Sequence, residues 1–210
     1  MKRNLFLSSF LFVLLAGCSL GHYSRLKEVS PPAEVLKPIF GDNFTSFLFK
    51  TNISIYNKEI SGLLLTKQMS SGDYRIIFTT ELGMKMFDFE FKDTSFTLQY
   101  CVPQFNRPTL LKTLKNDIEM LLMNNISSMH RSYYSNKDET EMIHRVRMEK
   151  LSTYYFVEKA TQQIYKIERS SKVFKKVTIS LNDYKEGVPT NIVIQHNDIK
   201  LKIELNLLKR

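Results

Sequence analysis

The chain has 210 residues, 43% hydrophobic and 24% charged, an ordinary globular composition with length enough for one domain around one core. Only seven residues are glycine, and neither GxGxxG nor GxxxxGK[ST] occurs, which excludes the common phosphate-cradling loops. The formal net charge is +9, but the basic residues are spread, with Lys172, Lys175 and Lys176 the nearest thing to a cluster; this reads as solvated, lysine-rich strand faces and not as a nucleic-acid site.

Lys2 and Arg3 precede an apolar run over residues 5–15 that is too short to span a bilayer, and Leu15, Ala16, Gly17 and Cys18 close it. Small residues at Ala16 and Gly17 let the chain lie extended in a peptidase cleft, and the Cys18 thiol can accept diacylglycerol. All four positions resemble the lipobox of a bacterial lipoprotein signal. The resemblance implies a signal peptide over 1–17, a lipid on Cys18, and a mature chain of 193 residues with 28 basic and 21 acidic side chains, net +7. An ordinary signal with a chance cysteine at its cleavage point is the alternative. No acidic run follows Cys18, which by resemblance to Bacteroidetes export signals favours an anchor that faces the periplasm over display at the cell surface; the expected location is the outer membrane. Cys101 is the only other cysteine, so no disulfide framework is expected, and its strand-like setting predicts a buried thiol acting as a small hydrophobe.

Residues 18–43, with Pro31, Pro32 and scattered charge, read as a tether, and one folded domain is expected over 44–210. From Phe44 the hydrophobic period is two. Phe47, Phe49, Thr51, Ile53 and Ile55 share a face, then Ile60, Gly62, Leu64 and Thr66, then Tyr74, Ile76 and Phe78. Phe87, Phe89 and Phe91 follow in phase over 84–91, and Phe96, Leu98, Tyr100 and Val102 over 96–102, completing a five-strand antiparallel meander. Pro108 then opens an amphipathic helix over 108–124 with Leu111, Leu114, Ile118, Leu121 and Leu122 on one side. Residues 125–138 read as polar loop, and 139–150 fit neither period. Five more strands are expected near 154–158, 163–169, 173–181, 190–196 and 199–207. The fold class is therefore mainly β with one helix: a curved antiparallel sheet, an unclosed half-barrel of about ten strands, with the helix packed in the hollow.

The lipobox, the early meander through residues 74–79 and 83–88, and the mid-chain helix together resemble the LolA/LolB fold of periplasmic lipoprotein carriers and receptors, in its LolB-like Bacteroidetes form. That resemblance implies a concave apolar surface able to hold acyl chains. From the residues alone the same surface would be built by Phe49, Tyr74, Phe78, Met84, Met86, Phe87, Phe89, Phe96 and Tyr100, with the methionines as pliable lining; a closed core beneath the helix is the other reading of the same side chains. No GxSxG or HExxH motif occurs, and His22, His130, His144 and His196 share no metal-ligand spacing. Pairs such as Asp88 and Glu90 sit at alternate strand positions, as on a solvated face. No catalytic residue, cofactor or metal is expected. The function expected is non-enzymatic: an outer-membrane lipoprotein that binds an acyl chain or another lipoprotein's lipid tail, in lipid or lipoprotein trafficking. The alternative is a structural or assembly lipoprotein that binds a protein partner. Nucleic acid is not an expected partner.

Overall fold

A computed structural model describes residues 23, 26–33, 35–41, 44–70, 73–92, 95–123, 126, 129–148, 150–171 and 174–210. The lipobox, 15–18, lies outside these residues. Thirteen strands form one sheet: β1 (Lys27–Val29), β2 (Ser46–Ile55), β3 (Lys58–Ser70), β4 (Asp73–Thr80), β5 (Lys85–Lys92), β6 (Ser95–Cys101), β7 (Arg131–Ser135), β8 (Glu141–Met148), β9 (Leu151–Glu158), β10 (Gln163–Ser170), β11 (Lys175–Lys185), β12 (Val188–His196) and β13 (Leu201–Lys209). The spatial order is β1-β7-β8-β9-β10-β11-β12-β13-β2-β3-β4-β5-β6, with every neighbour antiparallel and no pairing between the two outer strands. The helix α1 (Pro108–Leu122) leaves one edge after β6 and returns the chain to the other side at β7. It must therefore cross the sheet.

The curvature follows from what α1 touches. Lys115 places its ammonium 5.5 Å from the centre of the Phe96 ring on β6, and Tyr155 on β9 donates its hydroxyl to the Met120 carbonyl at 3.4 Å. Those strands stand nine places apart in the sheet, about 43 Å if it were flat at ~4.8 Å per strand. Lys115 and Met120 are separated by only about 8 Å of helix rise. The sheet is wrapped around the helix, and register shifts in five of the strand pairs flanking β4, β5, β9 and β10 accommodate the bending. Leu110, Leu114, Met120, Leu121 and Leu122 bury the apolar side of α1 against inward residues such as Ile53, Phe78, Phe89, Ile167, Ile179 and Ile192. Pro108 stands in the helix's first turn, and Met123 ends it in the left-handed region at φ 56°, its N–H returning to the Glu119 carbonyl.

Three expectations are corrected. Among the described residues the sheet has thirteen strands, not about ten. β7 runs through the expected polar loop, because Tyr133 and Tyr134 lie between β1 and β8. β8 lacks a period because both of its faces are covered: His144 and Val146 are buried on the core side, and Ile143 on the outer side joins Tyr154 and Phe156 under Tyr23 and Leu26. The stretch expected to be a tether, 18–43, is partly folded onto the sheet. β1 pairs with β7, Tyr23 stacks on Tyr154 at 4.0 Å, and Ile39 and Phe40 are buried in the core, so the folded unit begins well before Phe44.

Candidate ligand cavity in the half-barrel

The hollow has two ends, separated by the roughly 30 Å length of β2. At the end where β2 begins, Phe40 fills the hollow, with its ring centre 5.6 Å from Phe44, 5.3 Å from Phe47 and 6.2 Å from Phe49, while Phe44 stacks on Tyr74. At the end where β2 finishes, a cavity of about 700 Å³ remains. Its wall is made by Ile55, Tyr56, Asn57, Lys58 and Ile60 around the β2–β3 turn, by Ile199 and Lys200 before β13, by Met86 on β5, and by Gln104, Phe105, Arg107, Pro108, Thr109 and Leu110 leading into α1. The Tyr56 N–H donates to the Lys200 carbonyl at 2.8 Å, tying the two turns together. Pro103 and Pro108 bracket a tight segment in which the N–H groups of Phe105 and Asn106 both reach the Val102 carbonyl. That fold drives Phe105 inward, 1% exposed, with its ring edge-on to Phe87 and Phe78 at 5.8 and 6.4 Å.

Of the side chains expected to line an apolar hollow, one reaches this cavity: Met86, brought inward by the irregularity that skips it between the Phe78–Phe87 and Thr79–Lys85 pairs. Phe49, Phe78, Phe87 and Phe89 are at most 2% exposed: Phe87 packs on Phe78 and Phe89, Phe89 packs on Phe96, and Phe49 packs on Phe40 and Phe47, all within the closed core. Tyr74 and Phe96 are half-buried at its margin. Met84 lies in the β4–β5 turn and is 59% exposed. Tyr100 is 45% exposed because Gln99 is an extra residue in β6: Leu98 faces Phe89, and Cys101, not Tyr100, faces Phe87. Cys101 is accordingly the half-buried inward thiol, its pKa raised by burial. Phe105, Leu110 and Ile199 were not among the expected lining. The Pro103–Pro108 bracket around a lone Phe was the available signal for the first.

The cavity's rim is basic. Lys58, Arg107 and Lys200 are exposed, come from three separate elements, and form no ion pair among the described residues. No carboxylate stands among the residues of the wall. The same rim receives the start of α1, where no acidic residue occupies the first turn and no side chain caps the helix. Ten residues into the helix, the Asp117 carboxylate meets His196 Nε2 on β12 at 2.9 Å, both nearly fully buried, and pins α1 to the strand that leads into the Ile199 wall. Burial raises the Asp117 pKa against the opposing pull of His196 and of nearby Arg169. His196 Nδ1 faces the Asp198 carboxylate at 3.9 Å, so both ring nitrogens are turned toward carboxylates and neither is placed to activate a nucleophile. His144 and His196 are both buried. Asp88, expected on a solvated face, is 1% exposed; its burial raises the carboxyl pKa, and the Arg75 guanidinium at 2.9 Å and Lys85 ammonium at 3.0 Å outweigh that and lower it. Among the described residues no three His, Cys, Asp or Glu side chains gather as a metal site, and no helix is long and apolar enough to cross a membrane.

No protein-family model matches the chain, and no curated protein matches it. Solved structures do. The chain is similar to a LolA superfamily protein from Nitrosomonas europaea, at 10% identity and a TM-score of 0.49 over 79% of this chain and 84% of that one. It is also similar to a proposed outer membrane lipoprotein-sorting protein domain from Vibrio parahaemolyticus, at 9% identity and a TM-score of 0.47 over 79% of this chain and 84% of that one.

Proposed function

We propose that this protein holds a single acyl chain in the cavity between α1 and the two neighbouring turns, by burial and without bond-making. The cavity itself carries the reading: about 700 Å³, walled by Ile55, Ile60, Met86, Phe105, Leu110 and Ile199. That volume falls within the roughly 300–1,000 Å³ of small-molecule sites. Ten buried methylenes at about 0.8 kcal/mol each supply about 8 kcal/mol gross, from which the cost of immobilising the ligand is subtracted. Phe40 and Phe44 block the far end, so the chain enters tail first and leaves its head at the rim. The lipobox resemblance at Leu15, Ala16, Gly17 and Cys18 supports a lipid anchor on the outer membrane, facing the periplasm, where lipids and lipoprotein tails are at hand. Native mass spectrometry of residues 21–210, purified without the anchor, tests the reading. A bound mass in the fatty-acid or phospholipid range, released on denaturation, is expected. A clean ligand-free mass, unchanged after incubation with lipid extract, refutes it and moves the assignment to a protein partner.

A further inference from the structure

We propose that the cavity selects amphiphiles whose head is an oxyanion, carboxylate or phosphate, held at the rim by Lys58, Arg107 and Lys200; this rests on the acyl-binding reading. The cations converge on one mouth from the start of β3, from the residue before α1, and from the turn before β13, and the Tyr56–Lys200 hydrogen bond keeps two of them on adjoining turns. Nine lysines elsewhere lie within 4.0 Å of a carboxylate, whereas Lys37, Lys67, Lys112, Lys137, Lys150, Lys159, Lys185 and Lys209 form no ion pair among the described residues; what sets Lys58, Arg107 and Lys200 apart is that they converge on one apolar mouth. The residues that line the cavity include no carboxylate, so three like charges stand at an apolar opening. Like charges gathered at a low-dielectric mouth repel one another and focus their field on it, and an anionic head relieves that repulsion while its tail is buried. A neutral head gains none of that electrostatic relief.

The test is titration calorimetry of the mature chain, residues 18–210, with three ligands sharing one sixteen-carbon acyl chain: palmitate, palmitoyl lysophosphatidate and the neutral monopalmitoylglycerol. Each exposed cation contributes modestly, so at low salt the two anions are expected to bind at least about ten-fold tighter than the neutral ligand. The ratio is expected to collapse near 1 M salt, where the screening length is about 3 Å, and in the triple variant Lys58→Gln, Arg107→Gln, Lys200→Gln. Whichever anion binds tighter identifies the source as free fatty acid or phospholipid. Equal affinity for the neutral ligand, or an anion preference that survives the triple variant, overturns the inference while leaving acyl binding intact. Failure of all three ligands overturns the acyl reading itself.

Discussion

His144 makes folding sensitive to acid in a way that can be isolated. Its ring is 4% exposed, Tyr133 stands edge-on to it at 5.3 Å, and its Nδ1 has no hydrogen-bond partner among the described residues. Burial, with a smaller contribution from the Arg131 charge, lowers its pKa from 6.5 to about 4. Because the folded value is depressed, its contribution to stability is present above pH 6.5 and is lost as pH falls through 4: in that window the unfolded chain takes up a proton that the folded chain refuses. A displacement of about two and a half units, at 1.36 kcal/mol each, corresponds to a loss of about 3 kcal/mol between pH 7 and pH 4. His144→Phe keeps a ring against Tyr133 and the apolar Met142 and Val157 nearby while removing the titrating group. Urea unfolding followed by circular dichroism, chosen because the chain has no Trp, is run on both proteins at the two pH values. The wild type is expected to lose about 3 kcal/mol more than the variant over that range. Equal losses, or a His144 that titrates near 6.5 by NMR, refute the reasoning.

Gly62→Ala is expected to destabilise the fold by at least about 1–3 kcal/mol, read as a lower urea midpoint, because an added Cβ would stand 2.0 Å from the Thr79 carbonyl oxygen and 2.8 Å from the Phe78 ring. Asp117→Ala leaves the buried Nε2 of His196 without its partner and is expected to cost about 3 kcal/mol or more, whereas Asp117→Asn keeps a hydrogen bond to the ring and is expected to cost clearly less; chemical denaturation of the two variants separates them. Phe40→Ala is expected to cost about 3–5 kcal/mol, since Phe40 is 6% exposed and plugs one end of the hollow. A tether residue would show no change in the same unfolding curve.

The period of two made the central strands legible, because β2, β3 and β4 each bury one face and leave the other at least partly solvated. It gave no sign of β8, whose outer face is covered by Tyr23 and Leu26 from far along the chain. The N-terminal stretch looked like a linker because its prolines and charges outweigh Ile39 and Phe40, whose burial depends on strands not yet formed. Phase alone also misplaced Tyr100: the one-residue bulge at Gln99 reverses which side chains face inward, and hydrophobic alternation carries no mark of it. The cavity was hidden for a different reason. Alternation identifies which face is inward but not how far along the hollow the packing stops, and here the large in-phase aromatics close the core while turn and helix-start residues line the space that remains.

The central claim is that the cavity beneath the start of α1 holds an acyl chain. Palmitate titrated by calorimetry into the wild type and into Ile60→Trp tests it most directly, because Ile60 lies half-buried on the cavity wall and a larger ring there occupies the space with little cost to the fold. One palmitate per wild-type molecule, and at least ten-fold weaker binding to a variant whose urea midpoint is undiminished, is the predicted result. Equal binding by both proteins would place the chain elsewhere and contradict the account.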